Sequence, residues 1–488
     1  MSLAYSYFFI EKKIGTVVLA SLDSLFSSVL PCDLRMSLSS QLAAQRPSQQ
    51  KKKKGFPSVL FSAHEASDID DFTIASIGRN GYLELAKLRP ALRQLEAKLF
   101  GGAAVERDLQ TAEENAAIDR TVCKTLQLIA PYMLLKPAHK LFEHLLRRFE
   151  VERLNVDAVL AAMLPFHDST MFGRIVSLLH LDVDDRRGGS DGRRADSLWG
   201  FLGGVKKRAT PLNRATLVQQ CVKERALLAF VSKAARSMVE NKDAEPKLHI
   251  SFATILTIEL LRATPRVDSN LIRLLLPDVL FALATARAPR YRMAAYMVLA
   301  QLCQSTKLSK PMVNAVIRAV SKTLAGATTA RDGVTCLAII YQTQRHKVLP
   351  PNVANALLRV PRLSALLSSI GTTVDASALV IPFVVQLATL ATTGSGAHAE
   401  EALEQLEQLL SAEDIVSASD VAALIKLLLR RLVQREPSCE VLPHACSGIV
   451  RAAALAQPRA LATLFAEVRF AISRARSASR SRAHARTR

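Results

Sequence analysis

Three places in this chain gather side-chain types that could do chemistry. His139, Glu143 and His144 resemble an inverted zinc-protease motif, in which two histidines on one helical face hold the metal and a glutamate acts as base. The spacing here is one residue too long. Histidines five positions apart lie about 140° apart around a helix, so they do not share one ion comfortably. Gly200–Lys206 reads GFLGGVK, which superficially suggests a phosphate loop. It lacks both the G-x-x-x-x-G-K-[ST] spacing and a preceding strand, so no nucleotide cradle is expected. Cys439, His444 and Cys446 offer three ligands at most, with no second cluster to complete a tetrahedron. No G-x-S-x-G occurs, and Cys123, Cys303 and Cys336 fall on apolar helical faces, where a thiol is ordinarily a small hydrophobe. The residues therefore predict no enzyme, no metal or cofactor, and no small-molecule substrate.

Positive charge is the remaining distinctive chemistry. The chain carries 64 basic and 43 acidic residues, a net charge of +21, and such an excess favours an anionic partner, most often nucleic acid. About half of that excess sits in two segments, Arg46 with Lys51–Lys54 and the Arg/Ser-rich tail Ser473–Arg488. These resemble nuclear-targeting or RNA-contacting arms, or plain solvated charge runs. A third basic stretch lies within 182–213, where Arg186, Arg187, Lys206, Lys207 and Arg208 stand among several glycines around the single tryptophan, Trp199. It reads as a loop insertion, either a solvated connector with one apolar knob or a phosphate-contacting or partner-docking loop. With Lys51, Lys52, Lys53, Lys54 and the helical Arg147 and Arg148, these residues are the candidate phosphate contacts.

The elements that must position them are helices. Apolar residues make up 49% and aromatics only 5% of the chain. A Leu/Ala-rich mixture of this kind suits helix packed on helix better than a β-sandwich. After Pro137, the residues Leu141, Phe142, Leu145, Leu146 and Phe149 fall on one broad face, with Lys140, Glu143 and Arg147 on the other. Comparable stretches begin near Arg120, Asn155, Ser169, Arg214, Lys247, Ser269, Pro289, Lys310, Arg331, Pro350, Thr373, His398, Ser417, Pro437 and Pro458. Two helices with their turns occupy about 40 residues, the period of HEAT or armadillo pairs. Ala378–Leu387 reads as helix around Pro382, since it has no strand neighbour to pair with. The expected fold is all-α: a HEAT/armadillo-like α-solenoid of stacked antiparallel helix pairs with flexible basic ends.

Seven scattered cysteines do not form a disulfide framework, which favours a reducing compartment. Thr16–Leu30 is apolar but carries Asp23 and is too short to span a bilayer, so no membrane association is expected.

Specific words then stand out. PYMLLKPAHK (Pro131–Lys140), LLRRFEVERLN (Leu145–Asn155) and LPFHDSTMF (Leu164–Phe172) resemble the N-terminal domain of the family of U-three small-nucleolar-RNA-associated protein ten, HEAT-repeat-containing protein one of animals. Ser58–Leu85 resembles the family's opening segment, and MSLSSQLAAQ from Met36 its amino terminus. The resemblance runs from Met36 to about Phe470 and is strongest over 56–181. It divides the chain into a non-family extension (1–35), a flexible basic arm (36–55), the family's N-terminal helical domain (56–181), the basic Gly-rich loop (182–213), HEAT-like repeats (214–472) and a disordered Arg/Ser-rich tail (473–488). It also implies a portion of a protein several times longer. By that resemblance the chain is expected to be a scaffold in the UtpA (t-Utp) part of the small-subunit processome, in the nucleolus of the nucleus. The implied partners are other UtpA subunits, processome proteins, pre-ribosomal RNA and small nucleolar RNA; the implied roles are ribosomal RNA processing and ribosomal DNA transcription. The competing expectation is an α-solenoid transport or adaptor protein that binds protein cargo.

Overall fold

In the computed structural model, the described residues are 56–102, 106–181, 198–285, 288–325, 329–393 and 397–411, with isolated residues 451 and 462. Two compact units divide at Phe56, and everything described below belongs to the second. Among the described residues there are twenty α-helices, five 3-10 helices and no strand. The longer helices, in chain order, are α1 (Asp71–Leu88), α2 (Ala112–Ile129), α3 (Lys136–Phe149), α4 (Val156–Met163), α5 (Thr170–Leu178), α6 (Arg214–Lys223), α7 (Arg225–Glu240) and α8 (Lys247–Ala263). They continue with α9 (Ser269–Ala284), α10 (Pro289–Ser305), α11 (Lys310–Ser321), α12 (Ala330–Gln344), α13 (Pro351–Leu358), α14 (Leu363–Gly371), α15 (Ser377–Thr393) and α16 (Ala397–Ser411).

Local chemistry fixes most of the starts. Thr111 and Glu114 form a reciprocal capping box at α2, and Asp70, Ser169 and Asp268 accept backbone N–H groups at α1, α5 and α9. Such caps satisfy donors that the first helical turn leaves unpaired. Proline occupies the first turn of α3, α10, α11 and α13, where its missing N–H costs nothing.

From α6 onward the helices alternate between two rows. One row packs α6, α8, α10, α12 and α15 side by side; the other packs α7, α9, α11, α13 and α16. Each row helix thus touches the next in its row, two places away except where α14 intervenes, which is α-solenoid packing. Two apolar clusters fill the interior, and α8 and α9 contribute to both. Ile250, Val279 and Leu283 lie in the C-terminal cluster, while Leu256, Leu260 and Leu275 lie in the N-terminal one. Ahead of the rows, α2, α3 and α4 pack together, and α4 joins α7.

Helix α1 crosses α3 closely. A Cβ added at Gly81 would lie 2.4 Å from the Pro137 carbonyl oxygen, and one at Gly78 would lie 2.3 Å from the His144 Cβ. Only glycine permits that approach.

Several boundaries differ from the expected ones. Helix α2 starts at Ala112 rather than near Arg120, because the Thr111 cap begins it while its first two turns are still polar and exposed. The stretch from Arg214 splits into α6 and α7 at Glu224, whose backbone is extended and whose carboxylate caps Ala226 N. A further short helix, α14, stands between α13 and α15. Within 182–213, read as loop, Gly203–Arg208 is helical and Trp199 is buried. Its indole donates to Asp157 Oδ1 at 2.7 Å and meets the Phe230 ring edge-on at 4.9 Å, so an aromatic anchor folds this end of the segment back. Ala378–Leu387 is helical, inside α15, with Pro382 in its interior. The starts near Ser417, Pro437 and Pro458 and the basic ends lie outside the described residues.

Glu152 is buried in the turn Val151–Leu154, its Oε2 lacks a hydrogen-bond partner, and burial pushes its carboxyl up to about 7. The unfolded chain releases this proton near 4.5, so stability falls as pH rises from there towards 7 and stays reduced above. Glu152→Gln is expected to be more stable than the parent by on the order of 2–3 kcal/mol at pH near 8 and equal to it near pH 4, measured by urea unfolding at both pH values. Gly81→Ala is expected to cost about 1–3 kcal/mol by overpacking the α1–α3 crossing; an unchanged urea midpoint would show that the backbones can separate freely.

Candidate nucleic-acid interface

The structure redistributes the residues singled out from the sequence. Arg147 is mostly buried, donates to the carbonyls of Ala66 and Ile69, and lies 3.6 Å from Asp71. Arg148 donates to the Gly101 carbonyl at 2.6 Å. Both tie α3 to the segments before it. Lys206, Lys207 and Arg208 close the short helix Gly203–Arg208, the latter two exposed. Lys51, Lys52, Lys53, Lys54, Arg186 and Arg187 lie outside the described residues, as do Cys439, His444 and Cys446.

His139 and His144 each use Nε2 on a carbonyl oxygen, of Met133 and Leu99 respectively, both at 2.9 Å. Burial lowers the pKa of both rings. Glu143 accepts from Val59 N at 2.8 Å and Leu60 N at 3.2 Å. The three side chains therefore point to three different backbone segments. Among the described residues no cluster of His, Cys, Asp and Glu could hold a metal ion, and no helix is long and apolar enough to cross a membrane. Cys303 and Cys336 are buried, and desolvation pushes the Cys303 thiol up to about 12. A half-open cavity between α7, α8, α9 and α10 measures about 50 Å³, and a wide, open cleft beside His167, Asp168 and Leu212–Arg214 measures about 500 Å³.

A different arrangement emerges along one edge, at the turns that lead from the first row to the second. These connect α6 to α7, α8 to α9, α10 to α11, and α12 to α13. Side-chain bonds stitch each turn to the next. Arg225 pairs with Asp268, and Arg262 Nε donates to Gln301 Oε1 at 3.1 Å. Gln344 accepts from Leu308 N at 2.9 Å and donates to the carbonyls of Cys303 and Thr306 at 2.8 and 2.9 Å. Lys307 Nζ donates to the Thr343 carbonyl. The four turns therefore form one continuous edge. Exposed Lys223, Arg266, Lys307, Lys310, Arg345 and Lys347 project from it, recurring about every 40 residues, one repeat period. Lys310 lies close enough to His346 to help burial depress that ring's pKa. The edge's two acids are already engaged, since Glu224 caps Ala226 N and Asp268 caps Leu271 N and binds Arg225.

The turns on the opposite edge mix signs. Acidic Glu240, Asp243, Glu245 and Asp332 stand there among Lys242, Lys247, Arg290, Lys322 and Arg359, and Asp243 pairs with Lys124 at 3.0 Å.

The recognisable words build turns and joints. In PYMLLKPAHK, Ala130–Tyr132 is a 3-10 turn and Pro137 opens α3. In LPFHDSTMF, Ser169 caps α5, and His167 exchanges bonds with Leu212, ring Nδ1 to carbonyl at 2.8 Å and carbonyl to N–H at 2.7 Å.

Two stacked rows of helical hairpins around a continuous apolar core define an α-helical repeat protein of the solenoid type. A family model described as U3 small nucleolar RNA-associated protein 10 matches residues 271–387, from α9 into α15. HEAT repeat-containing protein 1 of Homo sapiens is 31% identical over 331 residues, 66% of this chain and 15% of that protein. Its Drosophila melanogaster homolog is 32% identical over 54% of this chain and 12% of its own length. U3 small nucleolar RNA-associated protein 10 of Yarrowia lipolytica is 26% identical over 63% of this chain and 18% of its own. The chain is thus a homologue of the U3 small nucleolar RNA-associated protein 10 family across about two thirds of its length, and it spans about 15% of the human relative. The names of these relatives describe a small-nucleolar-RNA-associated repeat protein rather than an enzyme.

Structural and surface cations are expected to separate on substitution. Arg147→Ala removes its bonds to the part-buried Ala66 and Ile69 carbonyls and should cost about 1–3 kcal/mol, whereas Lys347→Ala should stay within about 0.5 kcal/mol of the parent. Thermal unfolding of the two variants reads the difference.

Proposed function

We propose that this chain is a non-catalytic nucleolar scaffold in the UtpA (t-Utp) part of the small-subunit processome. In this reading it holds pre-ribosomal RNA, small nucleolar RNA and neighbouring processome proteins together, supporting ribosomal RNA processing and ribosomal DNA transcription. The observation that carries it is the homology to small-nucleolar-RNA-associated protein 10, running through a helical array whose chemistry lies on its surface. Scaffolding suits such an array, because each added hairpin extends the accessible surface without enlarging a central core. Cations on turns supply sequence-independent phosphate contacts, and those set register rather than sequence choice. The domain boundaries read from the sequence, with basic arms at 36–55 and 473–488 and a basic segment at 182–213, belong to this proposal as auxiliary contacts.

The test is a tagged full chain expressed in its own cells. It should concentrate in nucleoli, sediment with small-subunit precursors in sucrose gradients and copurify with UtpA proteins, and its depletion should leave unprocessed pre-ribosomal RNA. A chain confined to the cytosol and recovered with transport cargo would favour the adaptor reading instead.

A further inference from the structure

We infer that the edge formed by the turns leading from the first helix row to the second is a rail for an RNA sugar–phosphate backbone, gripped by Lys223, Arg266, Lys310, Arg345 and Lys347. The inference deepens the function proposed above, on which the choice of RNA as the polyanion rests.

Four observations carry it. First, the stitches between turns place these cations in a line. Neighbouring helices in a row pack about 8–10 Å apart, so successive turns offer charge at intervals that a flexible polyanion can follow. Second, none of the five has an ion-pair partner among the described residues, while both acids of the edge are already occupied by caps. Charge placed only for solubility would be mixed in sign, as it is on the opposite edge. Third, Lys310 is the first residue of α11, where the helix dipole disfavours a cation. Its position does not stabilise the helix, and a bound phosphate would offset that penalty. Fourth, the edge carries no aromatic side chain other than His346, and Val348 is its one exposed large hydrophobic residue among those described. Base stacking needs aromatic platforms, and a protein interface needs a buried aromatic or aliphatic anchor. A row of cations with only His346 and one exposed valine beside it favours backbone contact that ignores base identity.

The test compares two fourfold charge reversals in the full chain. The edge variant carries Lys223→Glu, Arg266→Glu, Lys310→Glu and Lys347→Glu. The control carries Lys242→Glu, Arg290→Glu, Lys322→Glu and Arg359→Glu, which changes net charge equally but on the opposite edge. Unfolding midpoints of both are measured first, and single reversals are used if either variant is unfolded. Binding to a fluorescent uridine homopolymer of about 20 nucleotides is titrated between about 0.05 and 0.2 M salt. Removing four phosphate contacts should flatten the slope of log affinity against log salt by about 3 and weaken binding about tenfold or more near 0.1 M; the control should keep most of the parent slope and affinity. Equal losses in both variants would reduce the effect to net charge and overturn the rail. So would an unchanged edge variant, including one that instead loses binding to a polyglutamate peptide, which would assign the edge to an acidic protein. Either result leaves the scaffold reading to its own gradient test, because a chain can sediment with small-subunit precursors through protein contacts alone.

Discussion

Every hairpin among the described residues of the two rows has apolar surface on more than one side, and one partner cannot cover it all. That constraint organises the molecule. Each helix of the two rows is buried by its hairpin mate and by its neighbours in the row. The interior is therefore continuous rather than divided into cores with boundaries. Helices α8 and α9 make this visible, since each gives one end to the N-terminal apolar cluster and the other to the C-terminal one. Burial of this kind is non-directional and scales with area. It says that hairpins must stack, but not in which register.

Register comes from polar side chains at the joints. Arg107 is buried and reaches Asp119 at 2.6 Å, and Asn155 donates to the same carboxylate at 2.8 Å, which links α2 to the turn before α4. Gln127 on α2 donates to Ser237 at 2.9 Å and accepts from Asn241 at 2.7 Å, which fixes α2 against the end of α7. Glu143 receives the backbone N–H groups of Val59 and Leu60, while Tyr296 and Thr323 share a short hydroxyl contact between α10 and the end of α11. Buried polar groups are costly unless paired, so each such contact tolerates one arrangement of its helices and penalises slippage. The words that make the family recognisable belong to this class. They are specific because turns and joints require particular residues, whereas helical faces accept any apolar side chain of suitable size.

Charge follows the same division between interior and edge. Cations drawn into the joints, such as Arg147 and Arg148, satisfy carbonyls and leave little for a partner. Those on the turns between rows stay in water, aligned by the stacking beneath them. The array converts a weak repeat in the sequence, a few lysines and arginines in successive turns, into a line of charge.

The sequence by itself determined the helical class, the repeat length and most of the helix starts, because capping residues, first-turn prolines and a 3.6-residue apolar period act locally. What it could not decide was the use of each charged side chain. Arg147 and Lys347 are both basic residues at helix ends or turns; one is held by the carbonyls of Ala66 and Ile69 and the other stands in solvent. Nor could composition show that Trp199 folds half of a glycine-rich stretch back onto Phe230. Those outcomes depend on which segment lies alongside, and that is fixed only when distant hairpins stack, since burial and ion pairing act between neighbours in space rather than neighbours in the chain.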